Sequence, residues 1–225
     1  SVTFLSDVYA LDIGIEPNAL KEVMQYRDKL MRARALQTRQ SGIHIAHILS
    51  KVQHDSNFRM LEAALSSALS YLGFEVEDMA KSGEPEGLAR AYPLPAGRPT
   101  ATDPATPLYT VSFDAKSTTH EKAKTSNIGL DGVHDHKTSL EADYALVVAP
   151  NFQEGALPRR AEQQEVTPMR ARDLGRLVEI TAEFGAIPLI KLEEIFSLHD
   201  PDEIQSWVDN VVDWIKSVRV LTLDL

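Results

Sequence analysis

Residues 108–116 read Leu-Tyr-Thr-Val-Ser-Phe-Asp-Ala-Lys, and this stretch decides the fold. Apolar and polar side chains alternate along it, which is typical of a β-strand with one buried face. The apolar side chains are predicted to face one side, and Asp114 and Lys116 the other, because residues two apart in a strand share a face. The end of the strand therefore carries a carboxylate and an ammonium side by side.

The segments on either side of this strand predict an α/β fold with a central mixed sheet flanked by helices. Residues 56–72 carry apolar side chains at spacings of three and four, which predicts a helix, and Gly73 is a typical C-terminal cap. Four further strands are predicted, over Phe74–Met79, Leu88–Tyr92, Tyr144–Ala149 and Ile187–Ile190. Further helices are predicted over Ile128–Glu141, residues 168–184 with Thr167 as the cap, and Pro201–Val218.

The first part of the chain is predicted to be a helical extension. Helices are predicted over Pro17–Gln40 and Gly42–Lys51, where apolar residues recur with helical spacing. We expect residues 1–55 to be a connector or a dimerisation segment, and residues 56–225 to form the domain that contains the sheet.

The composition excludes several classes of function. The chain has no cysteine, which rules out disulfides, thiolate zinc sites and cysteine nucleophiles and fits a reducing, cytoplasmic location. No apolar run reaches the roughly 20 residues that span a membrane. The formal net charge is -10, so we expect poor binding to nucleic acid by the chain alone, because phosphate neutralisation dominates such affinity.

Asp114-Ala115-Lys116 is the pattern with the clearest chemical meaning. A carboxylate can hold a hard divalent cation, and the carbonyl of Ala115 can be a second oxygen ligand. Such a cation lowers the pKa of a bound water, and a lysine can orient or deprotonate that water or neutralise the transition state. Taken alone, the tripeptide also fits a solvated strand end with a surface ion pair, so its surroundings decide between the two interpretations.

An acidic turn precedes the tripeptide, since residues 83–87 read Gly-Glu-Pro-Glu-Gly. Together the two motifs resemble the PD-(D/E)xK nuclease superfamily, in particular the cleavage domains of type IIS and related restriction endonucleases. That family places an acid after a proline, often as Pro-Asp-Gly, and then Asp/Glu-x-Lys on the next strand. Glu86 replaces the aspartate here. Asp103 is the rival first acid, because it lies nearer to Asp114 along the chain, although it precedes its proline.

The resemblance covers roughly residues 56–184 and implies a restriction-endonuclease-like core with metal-dependent DNA endonuclease activity. The implied cofactor is Mg²⁺, with Mn²⁺ able to substitute. Glu86 and Asp114 would hold the cation together with the carbonyl of Ala115. Lys116 would position the attacking water, and Glu62 on the preceding helix would be an auxiliary acid, although a solvent-facing helix glutamate is the alternative for Glu62.

The segment after the tripeptide faces DNA in the nucleases that the chain resembles. The candidate nucleic-acid-binding residues are Ser117, Lys122, Lys124, His136 and Lys137. A solvated charged segment is the alternative for each of them. Five arginines between residues 158 and 176 form a basic strip that would contact phosphate or pair with neighbouring acids. The acidic total predicts targeting by another domain or subunit, and cutting both strands predicts a homodimer.

Three other functions remain open on sequence grounds. A repair or recombination nuclease of the same fold would carry the same residues. A degenerate nuclease fold that serves binding or assembly would explain Glu86 in place of aspartate. An accidental motif in a helical interaction protein would leave residues 108–116 outside any strand.

Overall fold

The computed structural model describes residues 36–55, 57–79, 86–92, 106–118, 122–123, 128–153 and 155–223, with side chains described up to residue 218. The chain divides into two compact units, Ser1–Ser41 and Gly42–Leu225. In the first unit, the described residues 36–41 are helical. The rest of the predicted helix Pro17–Gln40 lies outside the described residues. The predicted boundary at residue 55 stays a prediction.

Helix α1 runs without a break over the described residues 36–52, so the predicted break between Gln40 and Gly42 is wrong, and α2 follows over Phe58–Leu72. Buried side chains of α1 belong to the same core as those of α2, namely Ala46, Leu49 and Val52. The stripe predicted for α2 is confirmed at Leu61, Leu65, Leu69 and Leu72, which are buried. It is wrong at Phe58, which was expected to belong to the stripe but lies in the first turn and is 56% exposed. Gly73 ends α2 in the left-handed region at φ 108°, as predicted, where a side chain would be strained.

Five strands form one mixed sheet in sequence order: β1 (Glu75–Asp78), β2 (Gly87–Ala91), β3 (Tyr109–Ala115), β4 (Tyr144–Ala149) and β5 (Val166–Arg170). The pairs β1–β2 and β2–β3 are antiparallel, whereas the pairs β3–β4 and β4–β5 are parallel. The mixed sheet and its flanking helices confirm the predicted fold class. Because β2 is antiparallel to β3, the start of β2 lies beside the end of β3.

The remaining helices are α3 (Leu130–Ser139), α4 (Leu157–Gln163), α5 (Ala171–Phe184), α6 (Leu189–Leu192), a 3-10 helix (Glu193–Ser197) and α7 (Pro201–Leu223). Two predictions are wrong here. Thr167 does not cap a helix but lies inside strand β5, and the helix begins at Ala171. Residues 187–190 form no strand, because Leu189 and Ile190 are the first residues of α6.

The sheet separates two apolar cores. The larger core packs α1, α2, α5 and α7 against one face, and β3 contributes Tyr109, Val111 and Phe113 to it. The smaller core packs α3 and α4 against the other face, with Ala145 and Val147 of β4. The alternation predicted for β3 is therefore confirmed. Among the described helices, none combines the length and apolar character that crossing a bilayer requires.

Candidate active site

The sheet register brings the acidic turn to the tripeptide. Gly87 pairs with Phe113, so Glu86 lies next to the end of β3, where Asp114 and Ala115 follow. The backbone of Glu86 is fixed on its other side, because the amide of Met79 donates a 2.8 Å hydrogen bond to its carbonyl. The two motifs therefore meet at one end of the sheet.

Gly87 is required where it stands. A Cβ at this position would lie 2.3 Å from Cζ of Phe113 and 2.6 Å from the carbonyl oxygen of Glu77. Phe113 is buried to 1% exposure in the larger core and has no room to withdraw. The glycine thus allows β2 to approach β3 closely enough for Glu86 to reach its position.

Asp114 and Lys116 form a close ion pair at the carboxyl end of β3. Nζ of Lys116 lies 2.6 Å from Oδ2 of Asp114. The aspartate is buried to 5% exposure, whereas the lysine side chain is 33% exposed. The backbone of Lys116 is tied to the sheet, since its amide donates a 2.8 Å hydrogen bond to the carbonyl of Val148 on β4. The Lys116 side chain therefore contacts a buried carboxylate and is still partly accessible to solvent.

Glu86 contacts both residues that begin the tripeptide. Its Oε2 accepts a hydrogen bond from the amide of Ala115. The pKa of the Glu86 carboxyl is raised to about 10, chiefly by burial and then by its hydrogen bond to Asp114 and the charge of that residue. Lys116 and the Ala115 amide oppose this rise. Burial and the neighbouring Asp114 therefore both disfavour the charged form of the Glu86 carboxyl.

Glu62 joins the site from α2. Its side chain is partly buried, and its pKa is raised by burial and then by the charge of Asp114. The charges of Arg59 and Lys116 and a hydrogen bond with Glu86 lower the pKa. The four residues that were expected to carry the chemistry thus interact, although they come from α2, the start of β2 and the end of β3.

The donor set fits a small, hard cation. Mg²⁺ in proteins is bound by one or two carboxylates and keeps several waters, so Glu86 and Asp114 suffice as protein ligands. Burial chiefly, and then the neighbouring Asp114, raise the pKa of Glu86, and a bound divalent cation would offset the part that comes from carboxylate repulsion. Within the described ranges, no three or more acidic or histidine side chains form a complete metal-binding cluster. Asp103, the rival acid, lies outside these ranges.

The predicted nucleic-acid-binding residues are dispersed. Ser117 is partly buried in the segment directly after Lys116, and Lys122 is exposed beside Ala123, whose amide donates to the carbonyl of Asn151 at 2.8 Å. Lys124 lies outside the described residues. On α3, Nζ of Lys137 lies 2.6 Å from Glu165, and Nδ1 of His136 is buried without a partner among the described residues. Their contact with DNA stays a prediction.

Four arginines of the basic strip form ion pairs with neighbouring acids, namely Arg160, Arg170, Arg172 and Arg176. Arg170, at the end of β5, donates to Oδ1 of Asn151 at 3.1 Å and to the carbonyl of Pro201 at 2.9 Å, and it also pairs with Asp202. Arg172 donates to Oε1 of Gln205 at 2.6 Å. These bonds tie α7 to the sheet, so Arg170 pairs within the protein, which was one of the two alternatives that the sequence left open.

Comparisons with known proteins give a similarity of fold only. No family model matches the chain, and no curated protein sequence is similar to it. The restriction endonuclease FokI is similar at a TM-score of 0.46 and 13% identity, over 64% of this chain and 28% of that chain. A structure of FokI bound to DNA is similar at a TM-score of 0.47 and 14% identity, over 65% and 28% of the two chains. Similarity at this level does not transfer the activity of those proteins to this chain.

Proposed function

We propose that this chain is a divalent-metal-dependent nuclease that hydrolyses DNA phosphodiester bonds at a PD-(D/E)xK-type site. The observation that supports this most is the convergence of three carboxylates and one lysine from three separate elements at one end of the sheet. A surface ion pair would not bury Asp114 to 5% exposure or raise the pKa of a neighbouring glutamate to about 10. Perturbed titration of this kind is typical of functional sites.

Glu86 and Asp114 are the proposed metal ligands, with the carbonyl of Ala115 as a third oxygen donor. When bound, Mg²⁺ would lower the pKa of a coordinated water and offset the charge that develops on the phosphate. Glu62 lies within reach of both ligands and would hold them or a coordinated water in position.

Lys116 is the residue proposed to position the attacking water. Its ammonium is held by Asp114 at 2.6 Å, and its partial exposure leaves it accessible to a substrate phosphate. In the reaction, the water oxygen bonds to phosphorus, one phosphorus–oxygen ester bond breaks, and the departing oxygen takes a proton. The lysine would also stabilise the negative charge of the transition state.

DNA is the proposed substrate, and the net charge of -10 indicates that another domain or subunit supplies targeting. Cutting both strands would require two such sites, which favours a homodimer or a pair of targeted copies.

Plasmid cleavage tests the proposal. Wild type, Asp114→Asn and Lys116→Ala are incubated with supercoiled DNA in Mg²⁺, in Mn²⁺ and in chelator. The matched controls are Asp213→Asn and Lys216→Ala, which alter an exposed pair on α7 whose charged atoms lie 3.8 Å apart. We expect cleavage by wild type and both controls in metal only, and a loss of at least about 100-fold in the two site variants.

Two results would contradict the proposal in different ways. Equal cleavage by Asp114→Asn, Lys116→Ala and wild type would place the chemistry elsewhere in the chain. A folded wild type that cuts no DNA in either metal would instead favour a binding or assembly module.

A further inference from the structure

The first turn of α2 is exposed beside the candidate active site. Phe58 is 56% exposed and Met60 is 44% exposed, and Arg59 between them is also exposed. We call these three residues the α2 tip. An exposed aromatic ring next to an arginine is a combination that contacts nucleic acid through stacking and charge.

The α2 tip lies one helical turn from the acidic cluster. Phe58 and Arg59 precede Glu62 by four and three residues, so their side chains are its neighbours on the helix surface, about 4.5–6 Å away along the axis. The proximity has an electrostatic consequence, because the charge of Arg59 acts on the Glu62 carboxyl. Glu62 in turn is hydrogen-bonded with Glu86. Arg59 in the α2 tip is therefore connected to Glu86 in the site through Glu62.

Arg59 has no carboxylate within ion-pair distance among the described residues, unlike most of the other basic residues that the structure describes. Within the described ranges, no ion pair or hydrogen bond holds its guanidinium, apart from the longer-range effect on Glu62. Most of the other described basic side chains are paired at short distance, as in Arg90–Glu77, Lys137–Glu165, Lys191–Glu194 and Arg176–Glu179. Arg59 is exposed, and none of the described acidic residues holds its guanidinium, so it can face an incoming anion.

We propose that Arg59 binds a backbone phosphate of the DNA strand that enters the site, with the ring of Phe58 packing against the adjoining nucleotide. This inference rests on the proposed nuclease function and extends it to the path of the substrate. A guanidinium suits the role because its planar fork donates two parallel hydrogen bonds to phosphate oxygens. A cation at the entrance also offsets the repulsion between the substrate and the carboxylates of the site.

The salt dependence of DNA binding tests this contact. A labelled linear duplex is titrated by fluorescence anisotropy with the full chain in Ca²⁺, over a range of KCl concentrations. The variants are Arg59→Ala and Arg59→Lys, and Lys216→Ala on α7 is the control that removes one exposed positive charge from a helix packed against α5 and β5. Cleavage kinetics in Mg²⁺ are measured on the same preparations.

We expect Arg59→Ala to raise Kd roughly tenfold and to reduce the slope of log K against log salt by about 0.9, which corresponds to one lost phosphate contact. Arg59→Lys should retain most of the slope, and the control should match wild type. In cleavage, kcat/KM of Arg59→Ala should fall mainly through a higher KM.

An unchanged slope in Arg59→Ala would overturn the contact. A fall in kcat at constant KM would also overturn it, because Arg59 would then act through Glu62 and not on the substrate. These failures are distinguishable from failure of the proposed function: a wild type that cuts plasmid shows that only the Arg59 contact is wrong, whereas a wild type that neither binds nor cuts DNA overturns both.

Discussion

Replacing Gly87 with alanine should destabilise the sheet and displace Glu86. The added Cβ would lie 2.3 Å from the Phe113 ring and 2.6 Å from the carbonyl oxygen of Glu77, so it meets a buried side chain and a backbone atom together. Neither can withdraw easily, since Phe113 is buried to 1% exposure and Glu77 belongs to strand β1. The strands must therefore separate locally, and Glu86 would lose its hydrogen bond from the amide of Ala115.

The cost follows from the energetics of overpacked cores. Extra methyl groups in a packed interior cost about 1–3 kcal/mol, and the backbone contact puts this site at about 3 kcal/mol. For a unit of this size, such a loss lowers Tm by roughly 6–12 °C. Chemical denaturation and thermal melting of Gly87→Ala give both quantities. A companion Phe113→Leu change, which shortens the opposing ring, should recover part of the loss in a double-mutant cycle.

Gly132→Ala is the matched control for this substitution. Gly132 lies inside α3, and an added Cβ there would meet nothing within 4 Å. It should stabilise the chain by about 0.5–1 kcal/mol, because alanine favours the helix over glycine. A Gly87→Ala protein as stable as wild type would refute the account of the close approach of β2 to β3. Destabilisation without loss of cleavage would refute the link between that approach and the position of Glu86.

Three further changes separate positioning, burial and packing. Glu62→Gln should lower the cleavage rate roughly 10- to 100-fold, a smaller loss than in Asp114→Asn, because Glu62 holds the metal ligands in position. A loss as large as that of Asp114→Asn would indicate that Glu62 is itself a metal ligand. Burial raises the pKa of Asp173 from 3.8 to about 6 despite two nearby arginines, so its contribution to stability is present below pH 3.8 and is lost as pH rises through 6. This change in pKa corresponds to about 3 kcal/mol, so the Tm of Asp173→Asn should be higher than that of wild type at pH 7.5 and equal to it near pH 4. A variant that is less stable than wild type at pH 7.5 would show that the ion pairs of Asp173 outweigh the cost of burying its charge. Tyr109→Phe removes a 2.7 Å hydrogen bond to the carbonyl of Leu189 and should cost about 1 kcal/mol in urea unfolding; no change would mean that this buried hydroxyl contributes nothing.

The elements that sequence predicted well are those whose apolar side chains recur with a regular period. In β3 the alternation places Tyr109, Val111 and Phe113 in the larger core, and in α2 the helical spacing places Leu61 and Leu65 there. Strand β5 was missed because its short sequence, Val-Thr-Pro-Met-Arg, has no clear alternation of apolar and polar residues. Pro168 also suggested a helix start, but β5 is at the edge of the sheet, where a residue without an amide hydrogen is tolerated. The short apolar run at residues 187–190 fits either element by periodicity alone.

The sequence predicted the local part of the candidate site but not the contacts between its elements. Asp114 and Lys116 could be predicted as neighbours, because two-residue spacing in a strand is a local property. The meeting of Glu86 with Ala115 could not be derived from spacing, since it depends on the register between β2 and β3 across a long connection. Resemblance to a nuclease family supplied that expectation. Arg59 was not singled out, although its position three residues before Glu62 was a signal available in the sequence.

Isothermal titration of Mn²⁺ into wild type, Asp114→Asn and Lys116→Ala tests most directly whether the buried carboxylates hold a cation. Wild type and Lys116→Ala should bind the metal, because the lysine is assigned to the water and not to the cation. Asp114→Asn should lose binding, while the exposed control Asp213→Asn should retain it. Equal binding by Asp114→Asn and wild type, or no binding by any of the four folded proteins, would contradict the metal site and with it the proposed nuclease chemistry.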